Sequence, residues 1–334
     1  MNDGSNALEN IWCITLNLKA RGNFMTKKKD NLKSLLRRIY RGRQLYLLLA
    51  LPLIYILVFE YIPMAGLQIA FKDYKFGTGI WGSKWVGFKH FEKFVTNYKF
   101  VQILTNTLRV SVYSLVVNSI MPIILALALN CLQHKGLKKT VQTLTYLPHF
   151  ISVVVLIGMM TQMLNPIVGV YGNIVKAITG ERATDILGIP SAFPHLYVWS
   201  GTWQGTGFSS IIYIAALAGS DQDLHEAAQI DGATRLQRVR HIDIPTIMPT
   251  AIILLILNAG KIMTVGFQKV HLLQNSLNLS YSEVISTYVY RQAFGVGSNF
   301  SYSTAIGMFN SVINLILITV VNKISKKVTE NSLW

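Results

Sequence analysis

Cysteine is nearly absent from this 334-residue chain, Cys13 and Cys131 being the only two. Two thiols cannot make a disulfide framework, and both fall in segments assigned below to the reducing cytoplasm, so redox chemistry gets no support. Acidic residues are also scarce, 15 against 31 Lys and Arg, and Glu60 is the only carboxylate within the long apolar stretches. A carrier coupled to protons or sodium usually holds titratable or cation-binding carboxylates at membrane depth. An ion-coupled secondary transporter of small solutes is therefore the weaker alternative. No GxxxxGK[ST] phosphate loop occurs, so the chain is not expected to bind and hydrolyse ATP in the P-loop manner. The nearest approach to a zinc-peptidase helix is HEAAQ at His225 and Glu226, where Gln229 stands in place of the second imidazole. The other histidines are scattered and read as packing or interface residues. The expectation is a chain that is not an enzyme and holds no metal or cofactor of its own.

What the sequence has in abundance is apolar length. Hydrophobic residues make up 51%, charged residues only 14%, and the mean hydropathy is +0.39. Uncharged stretches long enough to cross a bilayer recur, which defines a polytopic membrane protein. Six helical spans are expected: Leu45 to Phe59, continuing past Glu60 towards Ala70; Val110 to Cys131; Val141 to Leu164; Ala192 to Ala218; Ile244 to Gln268, with Lys261 inside it; and Ser298 to Asn322. Their unbroken apolarity, without strict alternation, excludes a porin-type barrel. The first apolar run is too long for a signal peptide and no small-residue cleavage site follows it, so it reads as a span that is kept.

Cations set the orientation. With both termini in the cytoplasm, nineteen Lys and Arg lie on that side and ten on the other, which satisfies the positive-inside rule. The formal net charge of +16 does not indicate nucleic-acid binding, because ten of the cations sit before Leu45. There Leu32, Leu35, Leu36 and Ile39 recur at helical spacing among Lys33, Arg37 and Arg38, the pattern of an interfacial helix on anionic lipid. The expected organisation is a cytoplasmic tail over residues 1–44, a transmembrane domain over 45–322 and a second cytoplasmic tail over 323–334. MTKKKDNLKSLLRR from Met25 already reads as a membrane-protein start, which makes residues 1–24 a candidate start-site artefact.

One polar interruption stands out, EAAQIDGATRLQRVRHIDIPTIMP from Glu226 to Pro249. Ser220 or Asp221 can cap a helix whose first turns carry Asp223 and Glu226, as the helix dipole favours. Ala227 and Ala228 leave a low surface for close approach by a partner. Gly232 permits a sharp turn, and Arg235, Arg238 and Arg240 open a basic segment leading to Pro245. The order and spacing of Glu226, Ala227, Ala228, Gly232, Ile242, Ile244, Pro245 and Pro249 resemble the EAA loop of ABC-importer permeases. That resemblance implies the type I permease fold, all-α with six spans. It also implies that the loop, with Asp231 and Arg235 beside the motif, couples the membrane to ATP hydrolysis in a separate subunit, which would bind the ATP and Mg.

A second resemblance narrows the branch. FEYIPMAGLQIAFKDY from Phe59 to Tyr74, WVGFKHFEKF from Trp85 to Phe94 and WQGTGFSSIIYIAALAGSDQDLHEAAQIDGAT from Trp203 to Thr234 look like the LplB-type carbohydrate-uptake permeases. The resemblance implies import of an oligosaccharide or polysaccharide fragment across a bacterial cytoplasmic membrane. The implied partners are a second homologous permease, an ATPase dimer and an extracellular solute-binding protein. Sugars are held by amides, hydroxyls and aromatic faces, so Trp203, Gln204, Ser209, Ser210 and Tyr213 in the fourth span and Asn258, Asn310 and Asn314 in the last two are substrate-path candidates. The same residue types also serve interhelical hydrogen bonding. Pro148, Gly205 and Gly207 read as shaping or packing helices.

Overall fold

The computed structural model describes residues 42–329 apart from Lys261. The expected interfacial helix and Cys13 lie outside the described residues. The chain divides into two units, residues 1–66 and 67–334. In the first, helix α1 (Arg43–Ile56) passes through a π-turn (Leu57–Tyr61) containing Glu60 into Ile62–Met64, and none of these residues is buried.

Among its described residues, the regular structure of the second unit is helical except for a short antiparallel ribbon, β1 (Lys72–Asp73) paired with β2 (Lys84–Trp85). Beyond the ribbon come α2 (Lys89–Val95), α3 (Phe100–Cys131), α4 (Lys135–Tyr146), α5 (Val153–Met163), α6 (Val170–Thr179) and α7 (Phe193–Ala218). The chain then forms α8 (Gln222–Ile230), α9 (Arg235–Arg238), α10 (Ile244–Ala259), α11 (Phe267–Leu273), α12 (Leu279–Ser282), α13 (Ile285–Phe294) and α14 (Phe300–Thr329).

Among the described residues, four helices are long and apolar enough to cross a membrane, at Arg43–Phe71, Phe100–Cys131, Arg235–Ala259 and Phe300–Ile324. A fifth span results if the bent pair Lys135–Phe150 and Val153–Met163 is counted as one. The helix at the fourth expected span, α7, has 26 residues, length enough at about 1.5 Å per residue, but WQGTG at its centre lowers its hydropathy. The fifth expected span also differs. Its helix starts back at Arg235 and stops at Ala259, with Gly260 as its C-cap.

The bend within the third expected span is 100°. Pro148 lies in a 3-10 turn (Leu147–Phe150), Ile151 and Ser152 are extended, and Ser152 Oγ caps α5 by accepting from Val155 N at 3.3 Å. Both π-turns have a proline cause. Each of Leu57–Tyr61 and Val239–Asp243 contains the residue four before a proline, Phe59 before Pro63 and His241 before Pro245. The proline has no N–H for that carbonyl and its ring crowds it, so the turn widens while the helix continues.

Three buried clusters run along the unit. Phe94, Ile103, Tyr288, Tyr302 and Ile306 form one, Val110, Ile157, Phe193, Val265 and Val270 the next, and Ala126, Tyr213, Leu217 and Ile247 the last. Near the first, Glu283 is buried and paired with both Lys99, at 3.3 Å, and Arg291. His90 is buried at the ribbon with Nε2 3.1 Å from the Lys72 carbonyl, and burial lowers its pKa. Val112, Val116, Ile120 and Ile124 recur every four residues on α3 and are exposed. Such an apolar stripe is what a span turns towards lipid or a partner helix.

Candidate coupling loop and substrate path

Helix α8 is fixed at both ends by its own sequence. Asp221 Oδ1 accepts from Asp223 N at 2.9 Å as the N-cap, whereas Ser220 Oγ donates to Leu217 O. At the other end Gly232 N donates to Gln229 O at 3.1 Å and Ala233 N to Ala228 O at 2.9 Å. These two bonds are a Schellman stop, which requires a left-handed residue, and Gly232 supplies φ +76°. A capping box of Thr234 with Gln237 then starts α9. From there the helix runs without interruption into α10. The end of the loop is thereby the start of a membrane-crossing helix.

Glu226, Ala227, Asp231, Gly232, Arg235 and Pro245 are exposed and Ala228 is half-buried. Ile230 and Leu236 are 87% and 77% exposed beside them, apolar side chains suited to contact with another protein. The underside is anchored by Asp243, which is buried. Its Oδ1 lies 3.3 Å from His225 Nε2 on α8 and accepts from Asn130 Nδ2 on α3 at 3.3 Å. One carboxylate thus joins the loop helix, the π-turn and the end of α3. Asp243→Ala leaves two partners unsatisfied, and each such loss typically costs about 1–3 kcal/mol. We expect a lower thermal midpoint in detergent, and less-than-additive loss when Asp243→Ala is combined with His225→Ala. Additive losses would show that the two side chains act independently.

A polar cavity of about 350 Å³ lies between α3, α7 and the chain around Asn258 to Val265. Ser209 and Asn258 line it, together with Ser111, Ser114, Asn118 and Thr206. A second cavity of about 380 Å³ shares Asn118, Ser209 and Asn258 and is also lined by Tyr213. Among the described residues, the buried hydroxyls of Ser111, Ser114 and Thr206 have no hydrogen-bond partner. Three such groups around one cavity can bind the hydroxyls of a polar ligand.

The other path candidates are placed differently. Gln204 Nε2 donates to Ile151 O at 2.6 Å, satisfying a carbonyl freed by the 100° bend. Ser210 is buried and donates to Gly207 O, while Trp203 is 54% exposed and outside the cavity lining. Asn314 Oδ1 accepts from Met263 N at 3.0 Å and its Nδ2 donates to Thr264 Oγ1 at 3.1 Å, holding the stretch after α10. Asn310 Oδ1 is buried without a partner among the described residues and does not line either cavity. Ser111, Ser114 and Asn118 were legible as a helical stripe at i, i+3 and i+7. They are absent from a search confined to the later spans.

Against Tyr197 and Gly201 of the cavity wall lies the ammonium of Lys269, from α11. It donates to the Tyr197 carbonyl at 2.7 Å and sits 4.7 Å from the centre of the Tyr197 ring. Burial pushes its pKa down to about 8. Folding therefore opposes its charge, a cost fully present below pH 8 and fading as pH rises towards the ordinary 10.5. No cluster of three His, Cys, Asp or Glu that could hold a metal ion occurs among the described residues.

A membrane-crossing helical bundle, with a capped helix continuous with one of its spans, is the architecture of a transport-system permease. The chain belongs to the binding-protein-dependent transport system inner membrane components, whose family model matches residues 118–330. It is 40% identical over 294 residues to protein LplB of Bacillus subtilis (strain 168), covering 88% of this chain and 92% of LplB. It is 39% identical over 307 residues to the polygalacturonan/rhamnogalacturonan transport system permease protein YteP of the same organism, covering 92% and 95%. A solved chain of a bacterial ABC transporter involved in the import of the acidic polysaccharide alginate superposes with a TM-score of 0.80 at 39% identity, over 88% of this chain and 99% of that one. These similarities agree with the LplB-type resemblance carried by Phe59 to Tyr74 and Trp203 to Thr234.

Proposed function

We propose that this chain is one of two permease subunits of an ATP-driven importer that receives an oligosaccharide or polysaccharide fragment from a binding protein. The single observation that carries the reading is the Schellman-stopped helix Gln222–Ile230, which exposes Ile230 and turns at Gly232 into a second helix that exposes Leu236 and runs from Arg235 into a span. A separate ATPase pair binds ATP and Mg and engages this loop. When the motor closes, α8 moves, the anchor at Asp243 carries the movement to α3 and α10, and the cavity changes the side to which it opens. Ser111, Ser114, Asn118, Thr206, Ser209 and Asn258 supply hydrogen bonds to sugar hydroxyls along the route. The chain crosses the membrane six times, with α7 as the fourth span.

In this reading the chain is not itself a catalyst. Reconstituted uptake requires the ATPase and persists when the proton gradient is collapsed while ATP is maintained. Transport by the chain alone, driven by an ion gradient, would refute the proposal. The coupling loop and both termini face the cytoplasm, and residues 71–100 face outwards. With Cys13 and Cys131 replaced, a cysteine at Lys84 is expected to react with an impermeant reagent added to intact cells, and one at Gln237 only after permeabilisation. Reaction at both positions in intact cells rules out this orientation.

A further inference from the structure

Lys269 combines three features that packing alone does not require. It is only 8% exposed, and no carboxylate among the described residues lies within ion-pairing distance. Its one hydrogen-bond acceptor among those residues is the Tyr197 carbonyl, which uses one of three N–H donors. It also abuts the polar cavity, because Tyr197 and Gly201 are both wall residues, and a Cβ at position 201 would lie 2.8 Å from the ammonium nitrogen. The absent side chain of Gly201 is what lets the ammonium approach the wall. A buried cation without an anion is costly, and the usual relief is pairing. Glu283 is relieved in that way by Lys99 and Arg291. Lys269 is not.

The described lining of the cavity carries no charged side chain, so the missing anion is not supplied from the wall. The wall instead offers the unpartnered hydroxyls of Ser111, Ser114 and Thr206. A ligand that satisfies both features carries hydroxyls along its length and a carboxylate. We infer that Lys269 is a specificity residue for an acidic oligosaccharide, its ammonium receiving a uronate carboxylate as the sugar passes Tyr197 and Gly201. This rests on the importer reading and adds the charge class of the substrate to it. Sulfated sugars share the anionic chemistry and form a separate arm of the test.

The experiment uses the assembled complex of both permeases and the ATPase pair in detergent, without the binding protein, so that binding reports the membrane path. Equilibrium dialysis compares labelled tetragalacturonate, its carboxyl-reduced neutral counterpart and a sulfated neutral tetrasaccharide. The wild type is expected to bind the uronate more tightly than the neutral sugar. Lys269→Gln should weaken uronate binding by about tenfold, the scale of one charge-assisted hydrogen bond, and leave neutral binding unchanged. Lys269→Arg keeps the charge and should retain the preference. Gly201→Ala keeps the lysine but displaces its ammonium, and should reduce the preference.

Equal binding of uronate and neutral sugar by the wild type overturns the inference, as does parallel loss of both in Lys269→Gln, the mark of a purely structural lysine. Tighter binding of the sulfated sugar than of the uronate overturns the carboxylate assignment. Binding of none of the three also overturns it. The importer reading fails separately, only if ATP-dependent uptake of carbohydrate by the full system is absent.

Discussion

Gly207→Ala should be among the most damaging single-methyl changes in the bundle. A Cβ at position 207 overlaps the Thr145 carbonyl and comes within 3.0 Å of Tyr146 N, so α7 crosses the end of α4 backbone against backbone. Backbone cannot step aside as a side-chain tip can. The helices must separate, and overpacking of this kind typically costs about 1–3 kcal/mol or more. The same approach holds the Gln204 bond to Ile151 and the stack of His149 on Phe208, whose ring centres are 4.0 Å apart, so both are lost with it. Gly205 is the internal control, since a Cβ there meets nothing within 4 Å. Thermal midpoints of the purified complex should fall clearly for Gly207→Ala and little for Gly205→Ala. Equal midpoints would show that the backbones do not touch.

Gly232→Pro should abolish uptake while leaving membrane insertion intact. Proline fixes φ near −65°, against the observed +76°, and removes the N–H that donates to Gln229 O. The Schellman stop cannot form, so α8 points elsewhere relative to α9. Gly232→Asn is the discriminating partner, because asparagine enters the left-handed region more readily than other side chains and should keep substantial activity. Glu226→Ala, at an exposed position, should be milder than Gly232→Pro. The measurement is ATPase co-purification and sugar uptake at matched expression. Full uptake by Gly232→Pro would remove Glu226 to Pro249 as the coupling element.

The two glycines differ in how they could be recognised. Gly232 was legible because its role is local: a C-terminal stop, a capping box and a proline-led helix all fall within about twenty residues. Gly207 sits in WQGTG, two residues from Gly205, and nothing nearby in sequence says which of the two meets a neighbour. That depends on Thr145, 62 positions away.

The sequence by itself determined the class of solvent, the rough position of the helices and the capped turn that follows Gln222–Ile230. Each is a matter of residues close together in the chain: apolar length sufficient for a bilayer, and caps that satisfy their own helix. Only the tertiary structure decided which polar groups are spent on the protein. Asn258 and Asn314 are alike in type and setting, yet one lines the cavity and the other holds the backbone at Met263 and Thr264. Gln204 is used at the bend, while Ser111 and Ser114, on a different helix, have no partner among the described residues at the cavity. Lys269 lies one residue past the fifth expected span, and Tyr197, 72 residues distant, covers it. A buried polar group takes whatever partner the fold brings within about 3 Å, and that partner is set by helix packing across the whole chain.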